Sequence, residues 1–141
     1  MNQPQIFGRR EKLALIDTLL KSRLSRQDRD FANCFTPDGV LIIAGEPSAL
    51  RCAGRWVGRS RIEEAIRFFD SELRTSNFVI DPPLVDGDRA ALRWSMTIER
   101  RGGGGAADTK CALFLKFRDC LICDFTLATD TALVDSIVHG G

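Results

Sequence analysis

The sequence predicts an α+β domain in which three helices precede a long antiparallel sheet. Three observations lead there. Apolar residues recur at helical spacing between Glu11 and Leu24, and again from Ser60 to Leu73. Beyond Ser76 the pattern turns strand-like, and from Leu92 onward apolar and polar residues alternate strictly. Turn residues separate these stretches, and no internal repeat or low-complexity linker divides the chain.

The first helix carries Leu13, Ile16, Leu20 and Leu24 on one stripe, widened by Leu15 and Leu19. Ser25 is placed to cap a second helix whose buried side is Phe31, Cys34 and Phe35, with turn chemistry from Thr36 to Gly39 ending it. Val40 to Ala44 reads as a short strand. After a turn from Gly45 to Ser48, the segment from Leu50 to Gly58 pairs back as a hairpin. Ser60 and Glu63 have the spacing of a capping box, and Ile62, Ala65, Ile66, Phe69 and Leu73 line one face of the helix it opens. A strand through Phe78 stops at Pro82 and Pro83, and Asp86-Gly87-Asp88 turns the chain. On the next strand Leu92, Trp94, Met96 and Ile98 face one way, and Arg93, Ser95, Thr97 and Glu99 the other. Two more strands follow, parted by a turn at Arg118 and Asp119, and Asp130 caps a brief terminal helix.

At 141 residues the chain is expected to be one domain, 1–141, with its core between about 11 and 138. Such a length buries roughly two-thirds of the unfolded surface, enough for a core or a ligand cavity without metals or disulfides. The hydrophobic share of 44% and charged share of 28% are ordinary for a soluble protein. With 20 basic against 19 acidic side chains there is no bulk electrostatic case for nucleic acid. No apolar run reaches the roughly 20 residues of a membrane span, and the first residues lack the apolar stretch of a secretory signal. The expectation is a cytoplasmic protein whose partner is a small molecule or another protein.

Two local motifs invite chemistry and lose it on inspection. Cys120 and Cys123 form a C-x-x-C pair, but it lies in a strand pattern rather than opening a helix, and the total of five cysteines is odd. A zinc site would need a second pair or histidines, and the single histidine is His139 near the end. The cysteines therefore read as small buried hydrophobes, with no metal and no cofactor expected. The four glycines Gly102 to Gly105 follow Arg100 and Arg101, which suggests a phosphate cradle. Such a cradle needs a helix after the glycines, and an alternating strand follows instead. The glycines read as a flexible hairpin loop.

Three stretches carry a family likeness: Asp28 to Ile42, Ala53 to Phe69, and Phe117 to Val134. Together they resemble the nuclear transport factor 2-like superfamily, in its SnoaL-like and ketosteroid-isomerase-like branch, over nearly the whole chain. The resemblance implies a curved antiparallel sheet wrapped around three N-terminal helices, a cone with an apolar pocket. That fold hosts isomerases, polyketide cyclases, epoxide hydrolases, dehydratases and non-catalytic modules, so function must be read position by position.

The positions resembling the two isomerase acids fall near Ile43 and Leu113, and the chain has no tyrosine for the oxyanion. Thr97, Glu99 and Arg101 do not reproduce the Asp-Arg-Asp arrangement of the epoxide hydrolases, and His139 is the lone candidate for dehydratase-type chemistry. The resemblance to SnoaL-like cyclases singles out Asp124 as an acid/base if it faces inward, where burial would raise its pKa. It further implies a pocket walled by Phe35, Trp56, Phe69, Leu92, Trp94, Met96, Ile98, Leu113, Leu115 and Phe117, with Phe68 nearby, and a homodimer through Arg93, Ser95, Thr97, Glu99 and Lys116. Two functional readings stand at this stage. One is proton transfer on a carbonyl or polyketide-like substrate with Asp124 as acid/base. The other is a binding or dimerisation module without catalytic groups.

Overall fold

The structure, a computed structural model, describes residues 6–45 and 50–139, with the backbone alone for Thr131, Asp135, Val138 and His139. Most of the expected turn from Gly45 to Ser48, and the side chain of His139, lie outside the described residues.

Helix α1 (Arg9–Leu24) and the short α2 (Asp28–Asn33) open the chain. Strands β1 (Phe35–Ile43) and β2 (Gly54–Val57) form the first hairpin, and α3 (Arg59–Glu72) follows. Then come β3 (Leu73–Ile80), β4 (Leu84–Asp86), β5 (Arg89–Arg100), β6 (Ala106–Arg118), β7 (Leu121–Thr129) and the closing α4 (Thr131–His139). The α+β class agrees with the sequence, while the short β4 after Pro82 and Pro83 is a strand the sequence reading did not include.

The sheet runs β2-β1-β7-β6-β5-β3, with β4 paired to β5, and it is unclosed. It departs from the expected all-antiparallel arrangement at one place: β1 pairs parallel with β7. A parallel neighbour needs a long connection, and everything from α3 through β6 supplies it. Alternation could not reveal this pairing, because side-chain period is the same in parallel and antiparallel strands.

Local signals were displaced in four places. Ser25 caps the end of α1 rather than the start of α2: its Oγ donates to the Lys21 carbonyl at 2.7 Å, and Gln27 holds the N-cap of α2. Ser60 lies inside α3, whose N-cap is Gly58 at φ 90°. There the Arg59 guanidinium donates twice to the Phe35 carbonyl, at 2.9 and 2.7 Å, so tertiary contact sets the helix start two residues earlier than the capping box implies. Residues from Thr36 to Gly39 are already part of β1. The β6–β7 turn uses Asp119 and Cys120, both at positive φ, one position later than expected. Asp130 does cap α4, accepting from the Leu133 N–H at 3.1 Å.

The core lies between the inward sheet face and the helices. Phe31 of α2, Phe35 of β1 and Phe125 of β7 form a triangle with ring centroids 5.5–5.8 Å apart. Such pairs contribute about 0.5–1.5 kcal/mol each beyond burial. On β5, Leu92, Met96 and Ile98 are buried while Arg93 and Glu99 are exposed, as the alternation requires.

Candidate functional site

A cavity of about 70 Å³ lies where α1, α2 and α3 meet the inward face of the sheet. Leu19, Leu20, Arg23 and Leu24 reach it from α1, Phe31 from α2, and Ile66 and Phe69 from α3. The sheet contributes Leu41 and Ile43 from β1, Thr75, Phe78 and Ile80 from β3, and Trp94 and Met96 from β5. Leu113 of β6 and the pair Phe125 and Leu127 of β7 complete the wall. Most contributions follow from period: α1 presents residues one turn apart, and β1, β5 and β7 present alternate residues. On β3 an irregularity between Ser76 and Val79 resets the alternation from Thr75 to Phe78 and Ile80.

Of the expected wall residues, Phe69, Trp94, Met96 and Leu113 border this cavity. The others are occupied elsewhere. Phe35 is locked in the aromatic triangle, and Phe117 packs edge-on against Phe7 at 5.6 Å. Trp56 donates from Nε1 to the Cys52 carbonyl at 2.9 Å beneath the Arg61 guanidinium. Leu92, Ile98 and Leu115 are buried core, and Phe68 lies under Arg51. Leu92, Met96, Ile98, Leu113, Leu115 and Phe117 are all buried, but only one stretch of each strand meets the cavity. The residues missed were all those of α1 and β3, together with Phe31 of α2, Ile66 of α3, Leu41 and Ile43 of β1, and Phe125 and Leu127 of β7. The leucine stripe of α1 was visible in the sequence, yet nothing in it said which end would meet a cavity.

Asp124 is not on this wall. Phe125 and Leu127 face the cavity, so Asp124 stands on the opposite face, where its Oδ1 accepts from Thr126 Oγ at 2.9 Å and its backbone pairs with exposed Lys116. The inward placement on which its acid/base role depended is therefore corrected by the register of β7. Ile43 and Leu113, the positions resembling isomerase acids, do line the cavity, as apolar side chains.

The wall's one ionisable group is Arg23, held in a bidentate pair with Asp70 at 3.0 and 2.8 Å and lying 5.5 Å from the Phe69 ring centre. Trp94 carries the wall's unmatched polar atom. Its Nε1 is buried with no hydrogen-bond partner among the described residues. Among the described residues no group of three or more His, Cys, Asp or Glu is placed to hold a metal ion, and no helix is long and apolar enough to cross a membrane.

The glycine hairpin is tied to the helix layer rather than open to a phosphate. Gly102, Gly103 and Gly104 all have positive φ. The Arg101 N–H donates to the Glu72 carbonyl at 3.1 Å and its guanidinium to the Asp70 carbonyl. On the outer face, Arg93 pairs with Asp81 at 2.6 Å, and Thr97 bridges Asn77 and Asp108. Glu99 and Lys116 are exposed there, with Phe114, 53% exposed, two residues before Lys116 on β6.

The model of the SnoaL-like domain matches residues 18–125, which is most of the chain. The chain belongs to the SnoaL-like domain family. Among solved structures, a nuclear transport factor 2-like protein of unknown function from Burkholderia pseudomallei superimposes with a TM-score of 0.84 at 15% identity, covering 92% of this chain and 98% of that one. A protein described as a SnoaL-like polyketide cyclase, from Jannaschia sp. CCS1, gives 0.73 at 17% identity over 99% of both chains. TerC, co-crystallised with polyporic acid, gives 0.81 at 14%, covering 91% of this chain and 98% of TerC. At these identities the likeness shows the fold. No curated protein matches this SnoaL-like chain in sequence.

Proposed function

We propose that this SnoaL-like protein binds a small hydrophobic molecule in the cavity between its helices and its sheet, as a non-catalytic binding module. The supporting observation is the composition of the wall: apiece apolar or aromatic except for Arg23, Thr75 and the Trp94 indole. Proton transfer needs a titratable group within hydrogen-bond reach of the substrate. Arg23 is held in its bidentate pair with Asp70, and Asp124 is on the other face. The cavity is well below the roughly 300 Å³ at which drug-sized ligand pockets begin, so the reading favours a molecule no larger than a single ring. The neighbours described as a cyclase or crystallised with polyporic acid make cyclic carbonyl compounds a sensible first panel.

A thermal-shift screen tests this. A ligand that binds only the folded state raises the melting midpoint by mass action. The expected result is a rise with small cyclic compounds that Leu113→Trp, which fills the cavity, abolishes. No rise across ketones, terpenoids, aromatic polyketides and hydrocarbons would sink the reading.

A second reading concerns assembly, and exposed Phe114 is what favours it. We infer that two copies pair through the outer sheet face around Phe114, Arg93, Ser95, Thr97, Glu99 and Lys116, forming an isologous dimer. Arg93 would bring its Asp81 partner with it into that interface.

A further inference from the structure

We propose that the molecule this cavity takes is neutral and carries a hydrogen-bond acceptor, and that the indole N–H of Trp94 receives it. The inference rests on the binding reading above and specifies its ligand.

The chain contains two tryptophans and treats them differently. Trp56 has its N–H matched by the Cys52 carbonyl at 2.9 Å. Trp94, set between Ile80 of β3 and Cys111 of β6, borders the cavity, and its Nε1 is buried with no acceptor among the described residues. Among the described residues the other buried polar side-chain atoms without a partner are carboxylate oxygens of Glu11, Asp28 and Glu72, none of them on the cavity wall. The unmatched donor and the cavity therefore coincide at one residue.

An unpaired buried donor costs about 1–3 kcal/mol, which favours any small turn of the indole in its wall that finds an acceptor. Water is a poor source, because a buried water needs two to four polar partners and the neighbouring wall is hydrocarbon apart from Thr75 and Arg23. Arg23 already directs both terminal nitrogens at Asp70. An anionic ligand would find no unpaired cation there and would lose its hydration. A hydrocarbon would fill the space and leave the N–H unmatched. A cyclic ketone or ether meets both requirements.

The test uses the whole chain with three probes of similar size: cyclohexanone, methylcyclohexane and cyclohexanecarboxylate. The two indole N–H resonances are followed by nitrogen-proton correlation spectra and assigned with Trp56→Phe. The expected result is that cyclohexanone binds about tenfold tighter than methylcyclohexane, one neutral hydrogen bond's contribution. The Trp94 resonance moves downfield while that of Trp56 stays, and Trp94→Phe removes the preference. Equal binding of ketone and hydrocarbon with a stationary Trp94 resonance overturns the inference and leaves cavity binding intact. Tightest binding of the carboxylate overturns it as well. Binding of none of the three counts against cavity occupancy itself, and against the inference with it.

Discussion

Asp28 shows how a single residue of this fold carries a cost that its neighbours only partly offset. It opens α2 beside Arg23 and Asp70, and its Oδ1 is buried with no partner among the described residues. Burial, then the Asp70 carboxylate, pushes its pKa above the ordinary aspartate range, against the pull of Arg23 and Arg67; Glu63 adds to the upward push. A raised folded value means that the stabilising contribution belongs to the protonated form. It is complete below the unfolded pKa and is lost as pH rises through the folded one. Asp28→Asn is never charged, so it is expected to melt higher than the parent near pH 7. Melting curves taken down to about pH 3 should show the two converge, since both are then neutral. The buried thiols follow the same logic of desolvation. Burial pushes Cys34 up to about 11 and Cys52 up to about 12, so their thiolates are scarce at neutral pH. Titration of the native protein with a disulfide reagent should label Cys120 and Cys123, which are partly exposed, well before Cys34, Cys52 and Cys111.

Among the elements, the entrance to α3 is the most constrained. Gly58 sits at φ 90° and ψ 154°, and its N–H donates to the Gly39 carbonyl at 2.8 Å, so the helix is hung from β1 at both Gly58 and Arg59. A side chain is strained in that backbone region. Gly58→Ala is expected to cost about 1–3 kcal/mol, read as a lower urea midpoint at unchanged slope. Gly8, the N-cap of α1, has extended backbone and open space around its α-carbon. Gly8→Ala makes the control: it loses only the N-cap preference of glycine over alanine, about 0.5–1 kcal/mol, with no strain added. Equal losses at the two sites would mean that the capping role, not the backbone geometry, sets the cost.

At the scale of the whole molecule the sheet has two faces with different tasks. The inward face packs the helices and walls the cavity, while the outer face presents Phe114 among charged and hydroxyl side chains. If the outer face joins two copies, light scattering on the eluting protein gives twice the 15.7 kDa chain mass. Phe114→Lys should then give the single-chain mass without lowering cavity binding, because the residue is on the opposite face from the ligand. A parent protein that elutes as a single chain at all concentrations would rule the dimer out.

Much of the fold was legible residue by residue. The α3 stripe of Ile62, Ala65, Ile66 and Phe69, the alternation of β5 and the Asp130 cap each report a local period or a local hydrogen bond, and local physics is what a sequence displays. The absence of acids at Ile43 and Leu113 was legible too, since it needed only residue identity. The true α3 cap, the parallel β1–β7 pair, the face taken by Asp124 and the choice of Trp94 over Trp56 as the unmatched indole were decided by tertiary structure. In the first two the deciding partner lies far along the chain, Phe35 for Arg59 and β1 for β7. For Asp124 it is the packing of Phe125 and Leu127 toward the cavity, and for Trp56 a loop carbonyl, Cys52, four residues back whose position no periodicity reports. Period tells a side chain which face it shares with its neighbours. Only packing tells that face whether it meets solvent, a core or a cavity.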